Sequence, residues 1–245
     1  MKVRQRLVVI GTKHIEEYIM SFKAPKGNGG GDRVAQEVIP VGNYPARLVQ
    51  LVDLGLQKQN PYQGKEKAPV HMIRCVYELP TEFCVDEDGN EDKEKPRWIG
   101  EEFPFYSIDA ERSKAAQRYK ALDPKIEHDG DWEPLVGGAC TLTVVHNPDK
   151  KDPKKVYANI GSTAPPMKGF EVPPLVNPPT MWTLDDPDME VFAKFPEFMQ
   201  EKIKSNLNFK GSLLEAKLTG KEYVPAADAP AEEGAEADVE ENPYG

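Results

Sequence analysis

Across residues 41–55 apolar and polar positions alternate: Tyr44, Ala46, Leu48, Val52 and Leu54 share one parity, interrupted only by Gln50. A period of two predicts a long strand with one face buried. Val49 and Leu51, on the other parity, predict that part of this strand is covered from both sides. Gly42 and Gly55 punctuate its ends, and Pro45 stands near the start, where a missing N–H does least harm. A long, bent first strand of this kind opens a small closed barrel.

Four further strands follow. Over residues 69–79, His71, Ile73, Cys75, Tyr77 and Leu79 share a face, after a polar loop at 57–67. An acidic connection at 84–96 turns at Asp88-Gly89-Asn90, and a third strand rich in aromatics occupies 97–107. Asp109 is placed to cap a helix running to Leu122, with Ala115, Tyr119 and Leu122 at helical spacing and Pro124 beyond its end. Strands at 139–146 and 155–160 point Cys140, Leu142, Val144, Val156, Ala158 and Ile160 inward. Three strands, a helix and two strands is the order of the OB-fold, a five-stranded Greek-key barrel that binds oligonucleotides. The fold class expected is therefore mainly β: an OB-fold-like barrel over 39–164 with a helix between strands three and four.

The flanks read differently. Residues 1–38 read as a flexible extension, Gly-rich around 27–31; 1–19 is read as an upstream extension before an internal start at Met20. A Pro-rich linker is expected over 165–183 and short helices over 184–220, opened by Asp185-Asp186-Pro187. Met189, Phe192 and Phe195, and then Met199, Ile203 and Leu207, are at helical spacing, so their apolar side must bury against the barrel or a partner. From residue 221 the chain is a disordered acidic tail.

Composition sharpens this. The hydrophobic share is 39%, below the roughly 45–50% of globular domains, and 23 prolines favour linkers and loops. The net charge of −10 is uneven: residues 222–245 hold eight acidic residues and no basic one, leaving residues 1–221 at −2. Three cysteines without regular spacing imply no disulfide framework and a reducing compartment. No apolar run approaches the roughly 20 residues that span a bilayer, so no membrane partner is expected.

The candidate chemistry is aromatic and cationic. Single strands bind in cationic grooves with aromatic platforms. Lys58, Tyr62, Lys65 and Lys67 lie on the loop between the first two strands, a ligand-facing loop in OB-folds. Arg74, Arg97, Trp98, Tyr106, Arg112 and Arg118 complete the set, against the plainer alternative of core aromatics and a solvated cationic surface. In the tail, Glu240, Glu241 and Tyr244 suit a basic, apolar-floored pocket on a partner. His71 and Cys75 share a strand face but form no zinc spacing, so both are expected to be buried, and the Asp86–Asp92 stretch has its glycine at the wrong position for a calcium loop. With no phosphate-binding glycine loop and no nucleophile–base pair, neither a cofactor nor an enzyme is expected.

The segment 40–55, with Tyr77-Glu-Leu-Pro80, Asp86-Glu-Asp-Gly-Asn90, Pro96-Arg-Trp-Ile99, Leu175-Val-Asn-Pro-Pro179 and Leu184-Asp-Asp-Pro-Asp188, resembles a family of bacteriophage OB-fold single-stranded DNA-binding proteins. The resemblance spans roughly residues 39–212. It implies coating of single-stranded DNA in phage replication or recombination, in the cytoplasm of the infected bacterial host. The tail would then recruit polymerase, helicase or primase and shield the groove when DNA is absent; self-association as a homodimer is compatible with this. The alternative is a protein-interaction module or DNA-mimicking inhibitor of a host enzyme acting through the acidic tail.

Overall fold

The computed structural model describes residues 36–61 and 63–223, and a change of parity inside the first strand sets the architecture. Strand β1 (Gly42–Gln57) is laddered to β2 (Val70–Val85), and the register slips between Leu48 and Gln50 and again between Asp53 and Gly55. Each slip is a bulge, and one extra residue moves every later side chain to the opposite face. Ala46, Leu48 and Leu51 therefore join one core, whereas Val52 and Leu54 join another on the far side of the strand. The single buried face expected from residues 44–54 is in fact two half-faces.

β2 returns as β3 (Glu91–Pro104) in a hairpin longer than expected, because pairing continues to Val85–Glu91. The acidic stretch is its tip. Asp86 accepts the amides of Asp88 and Asn90, and Gly89 takes the left-handed conformation at φ +82°. Helix α1 (Lys114–Leu122) starts later than expected: Ser113, not Asp109, accepts the Ala116 amide, and Asp109 is engaged in a turn with Ser107. β4 (Ala139–Pro148) and β5 (Val156–Ala164) complete the order β3-β2-β1-β4-β5, every neighbour antiparallel.

The sheet curls into an open half-barrel with an OB-like strand order. β3 and β5 approach each other, but among the described residues no ladder joins them, so the fully closed barrel expected does not form. Helix α1 packs over this seam against β3, β4 and β5. Its Arg118, 1% exposed, reaches Glu101 on β3 with Nε at 2.5 Å and Nη2 at 3.1 Å, and Thr163 on β5 with Nη1 at 3.5 Å. An ion pair closes what hydrogen-bonded strands leave open.

The Pro-rich segment is a strap rather than a free linker. Prolines offer carbonyls but no amides, so a side chain must satisfy the oxygens they leave. Arg47 does this, donating to Pro173 O at 2.7 Å, Val172 O at 2.9 Å and Gly137 O at 2.9 Å. The strap then enters β6 (Thr180–Trp182), which pairs parallel with the second half of β1, beyond the stretch paired with β4.

Helices α2 (Met189–Lys194), α3 (Glu197–Lys204) and α4 (Leu213–Thr219) bury Phe192, Phe195, Met199, Ile203 and Leu214 against Val52, Leu54 and Trp182. Asp188 caps α2 through the Glu190 and Val191 amides, and Pro196 separates α2 from α3. The helical segment thus shares β1 with the barrel, and the described residues belong to one compact unit. Among them no helix is long and apolar enough to cross a membrane.

Candidate nucleic-acid interface

On the outward face of β2 and β3 three cross-strand pairs stand in a row: Arg74 opposite Glu102, Val76 opposite Gly100, and Glu78 opposite Trp98. The strap and helices α2 and α3 wall this face, leaving a groove of about 580 Å³. Asn177, Pro178, Lys194 and Phe195 line it together with Arg74, Val76, Trp98 and Gly100. The position matters, since the face of strands two and three is where OB-folds take oligonucleotides.

Trp98 is 45% exposed, a large apolar side chain held at the surface. Its indole N–H donates to Glu78 Oε2 at 3.1 Å, so the edge is fixed and the ring face is what remains to offer. Glu78 is fully buried, and it also accepts the amides of Val176 and Asn177 from the strap.

The Arg74 guanidinium lies against Gly100: a Cβ there would stand 2.9 Å from Arg74 Nη2, so a side chain at this position would displace the end of the arginine. Arg74 bonds Glu102 Oε1 at 3.1 Å and lies over the Phe198 ring at 5.6 Å. Lys202 bonds the other Glu102 oxygen. Two cations thus share one carboxylate, and Lys194 on the groove wall adds a further positive charge.

The expected site residues do not all meet. Arg74 and Trp98 are brought together in the groove. Lys58, Lys65 and Lys67 are exposed on the loop between β1 and β2, while Tyr62 lies outside the described residues. Arg97 is opposite Leu79, on the barrel side of β3, and donates to Glu37 O, so it does not join Trp98. Arg112 is exposed in the turn before α1. Arg118 is withdrawn from solvent altogether and engaged with Glu101, which removes it from any phosphate-binding set. Glu240, Glu241 and Tyr244 lie outside the described residues.

Tyr106 sits at a different opening, an acidic mouth. It lines a cavity of about 350 Å³ with Phe105, Trp132, Asp109 and Asp129. The adjoining cavity carries Asp53, His71, Asp131, Glu133 and Asp185 over a floor of Leu51, Ile73 and Trp132. His71 Nε2 lies 2.6 Å from Asp53 Oδ1, and this hydrogen bond raises the His71 pKa above its ordinary value despite partial burial. So many carboxylates repel phosphate, which separates Tyr106 from the groove set. His71, expected to be buried, is exposed here, whereas Cys75 is buried as expected.

Sequence reasoning missed Glu78, Asn177, Lys194 and Lys202. The signal for Glu78 was present: it is the one charge in the otherwise apolar run 75–80, which demands buried partners. Compared with known protein families, curated proteins and solved structures, the chain matches none. The fold and groove geometry therefore carry the argument for strand binding.

Proposed function

We propose that the protein binds single-stranded DNA along the outward face of β2 and β3, without catalysing a reaction on it. One observation carries this: a half-exposed Trp98, its N–H tied down, stands beside Arg74 on the face that OB-like sheets use for oligonucleotides. Bases stack on the indole face, and phosphates follow Arg74, Lys194 and the loop lysines. The chain coats DNA exposed in phage replication or recombination, a setting supported by the resemblance noted above. The acidic tail recruits replication proteins and shields the groove in the absence of DNA.

The test is fluorescence anisotropy of labelled oligo-dT and of a duplex of equal length, with the wild-type chain and Trp98→Ala. Oligo-dT is expected to bind in preference to duplex, and Trp98→Ala to weaken it about 5- to 150-fold, the equivalent of a stacking contribution of about 1–3 kcal/mol. Five such phosphate contacts, from Arg74, Lys194, Lys58, Lys65 and Lys67, give a slope of about −3.5 in log K against log salt. Equal binding of duplex, or an unaffected Trp98→Ala, contradicts the proposal. A second reading, a module for a cationic protein partner, is favoured by the acidic mouth around Phe105 and Trp132; absence of oligo-dT binding at low salt would turn the search there.

A further inference from the structure

Four neutral donors converge on the buried carboxylate of Glu78. Trp98 Nε1 stands at 3.1 Å, Val176 N at 2.7 Å, Asn177 N at 3.3 Å and Asn177 Nδ2 at 2.7 Å. A fully buried carboxylate is costly unless its hydrogen bonds are all made, and in such a network the loss of one donor weakens the others. The orientation of the Trp98 ring and the seating of the strap at residues 176–177 are thereby one arrangement. The strap is held at its other end by Arg47, on Val172 and Pro173, so the stretch between is short and anchored twice.

Taking the nucleic-acid reading as its basis, we propose that Glu78 is the positioning residue of the groove: it sets the indole at its stacking angle through the strap, so that strand binding and strap closure are coupled. Asn177 and Pro178 line the same groove as the indole, so a base entering it meets the strap as well as the ring. An indole displaced from Glu78 leaves the carboxylate short of a donor and loosens Val176 and Asn177. A stacked base opposes that displacement. Because the indole N–H is occupied by Glu78, Trp98 contributes stacking and no base-edge recognition, and the site accepts bases without strong preference.

The experiment uses the full chain and oligo-dT in two measurements. In the first, hydrogen exchange of the wild-type Val176 and Asn177 amides is followed with and without saturating oligo-dT; exchange is expected to slow on binding. In the second, affinities are compared for wild type, Glu78→Gln, Trp98→Ala and the double variant. Glu78→Gln keeps the shape but turns an amide NH2 toward the converging donors, and about three- to tenfold weaker binding is expected. The double variant is expected to bind no worse than Trp98→Ala alone, because without the ring there is nothing left to position. Unchanged exchange at Val176 and Asn177, or a Glu78→Gln loss that persists in full without Trp98, overturns the coupling. If wild type binds oligo-dT through Trp98 but Glu78→Gln is silent, the coupling falls and the DNA-binding reading stands; if wild type does not bind at low salt, both fall.

Discussion

Replacing Arg118 by methionine separates two roles for this residue. The side chain is 1% exposed, and the Glu101 side chain it grips in a two-pronged contact is 8% exposed. Methionine retains much of the aliphatic stem but removes the charge, leaving a carboxylate in the β3–β5 seam with Lys114, at 3.1 Å and half in solvent, as its remaining cation among the described residues. Breaking a buried pair by removing one partner costs about 3–5 kcal/mol, and the remaining lysine places the expectation near about 3 kcal/mol. With a urea dependence of about 2 kcal/mol per molar for a chain of this size, the unfolding midpoint falls by about 1.5 M. Removing both partners, as Glu101→Leu with Arg118→Met, is expected to recover most of that loss, since no charge is then stranded. Equilibrium urea unfolding followed by circular dichroism reads all three proteins. A midpoint within about 0.3 M of wild type for Arg118→Met, combined with weakened oligonucleotide binding, would refute the seam argument and make Arg118 a phosphate ligand.

Three further outcomes follow from the geometry. Gly55→Ala is expected to destabilise by about 2–4 kcal/mol in the same assay, because φ is +73° and the new Cβ would stand 2.7 Å from Leu184 Cδ1 and 2.8 Å from Asn206 Cβ; a change of less than about 0.5 kcal/mol would show that the bulge can relax. Burial pushes the Cys140 thiol up to about 12 and that of Cys75 higher still, so a thiol reagent at about pH 8 should label Cys84 rapidly and the other two only on unfolding; fast labelling of two or three thiols contradicts the packing. The Asp53 hydrogen bond raises the folded-state pKa of His71 above the unfolded value of about 6.5, so the stability it contributes is complete below about pH 6.5 and is lost as pH rises through the raised value. His71→Gln should remove that sloping portion of the stability–pH curve above about pH 6.5, and an unchanged slope assigns it to other groups.

What could be seen in advance was periodic. Ile73, Cys75, Tyr77 and Leu79, or Cys140, Leu142 and Val144, announce buried faces because alternation and burial coincide along straight strands. The β1 bulges left no such trace: Val49, Leu51, Val52 and Leu54 are all apolar and all buried, so parity alone cannot show where the face switches. The strap was read as a linker because a proline-rich stretch looks the same free or held, and its holder, Arg47, is 125 residues from Val172. Arg118 belongs to a helix with Lys114 and Lys120 that reads as a solvated surface; its burial depends on Glu101 of another element. Of the binding set, Arg74 and Trp98 were legible as chemistry, but their meeting required the register of β2 against β3.

The central claim is that oligonucleotide lies on the outward face of β2 and β3, and the three tryptophans are internal reporters of it. In a proton–nitrogen correlation spectrum each indole gives its own N–H signal: Trp98 in the groove, Trp132 beneath the acidic mouth, and Trp182 inside the helical core, bonded to Asp188 O. On titration with oligo-dT the Trp98 signal is expected to shift and saturate at stoichiometric binding, while those of Trp132 and Trp182 stay in place. Binding that leaves Trp98 still, or that moves Trp132 instead, would contradict the account.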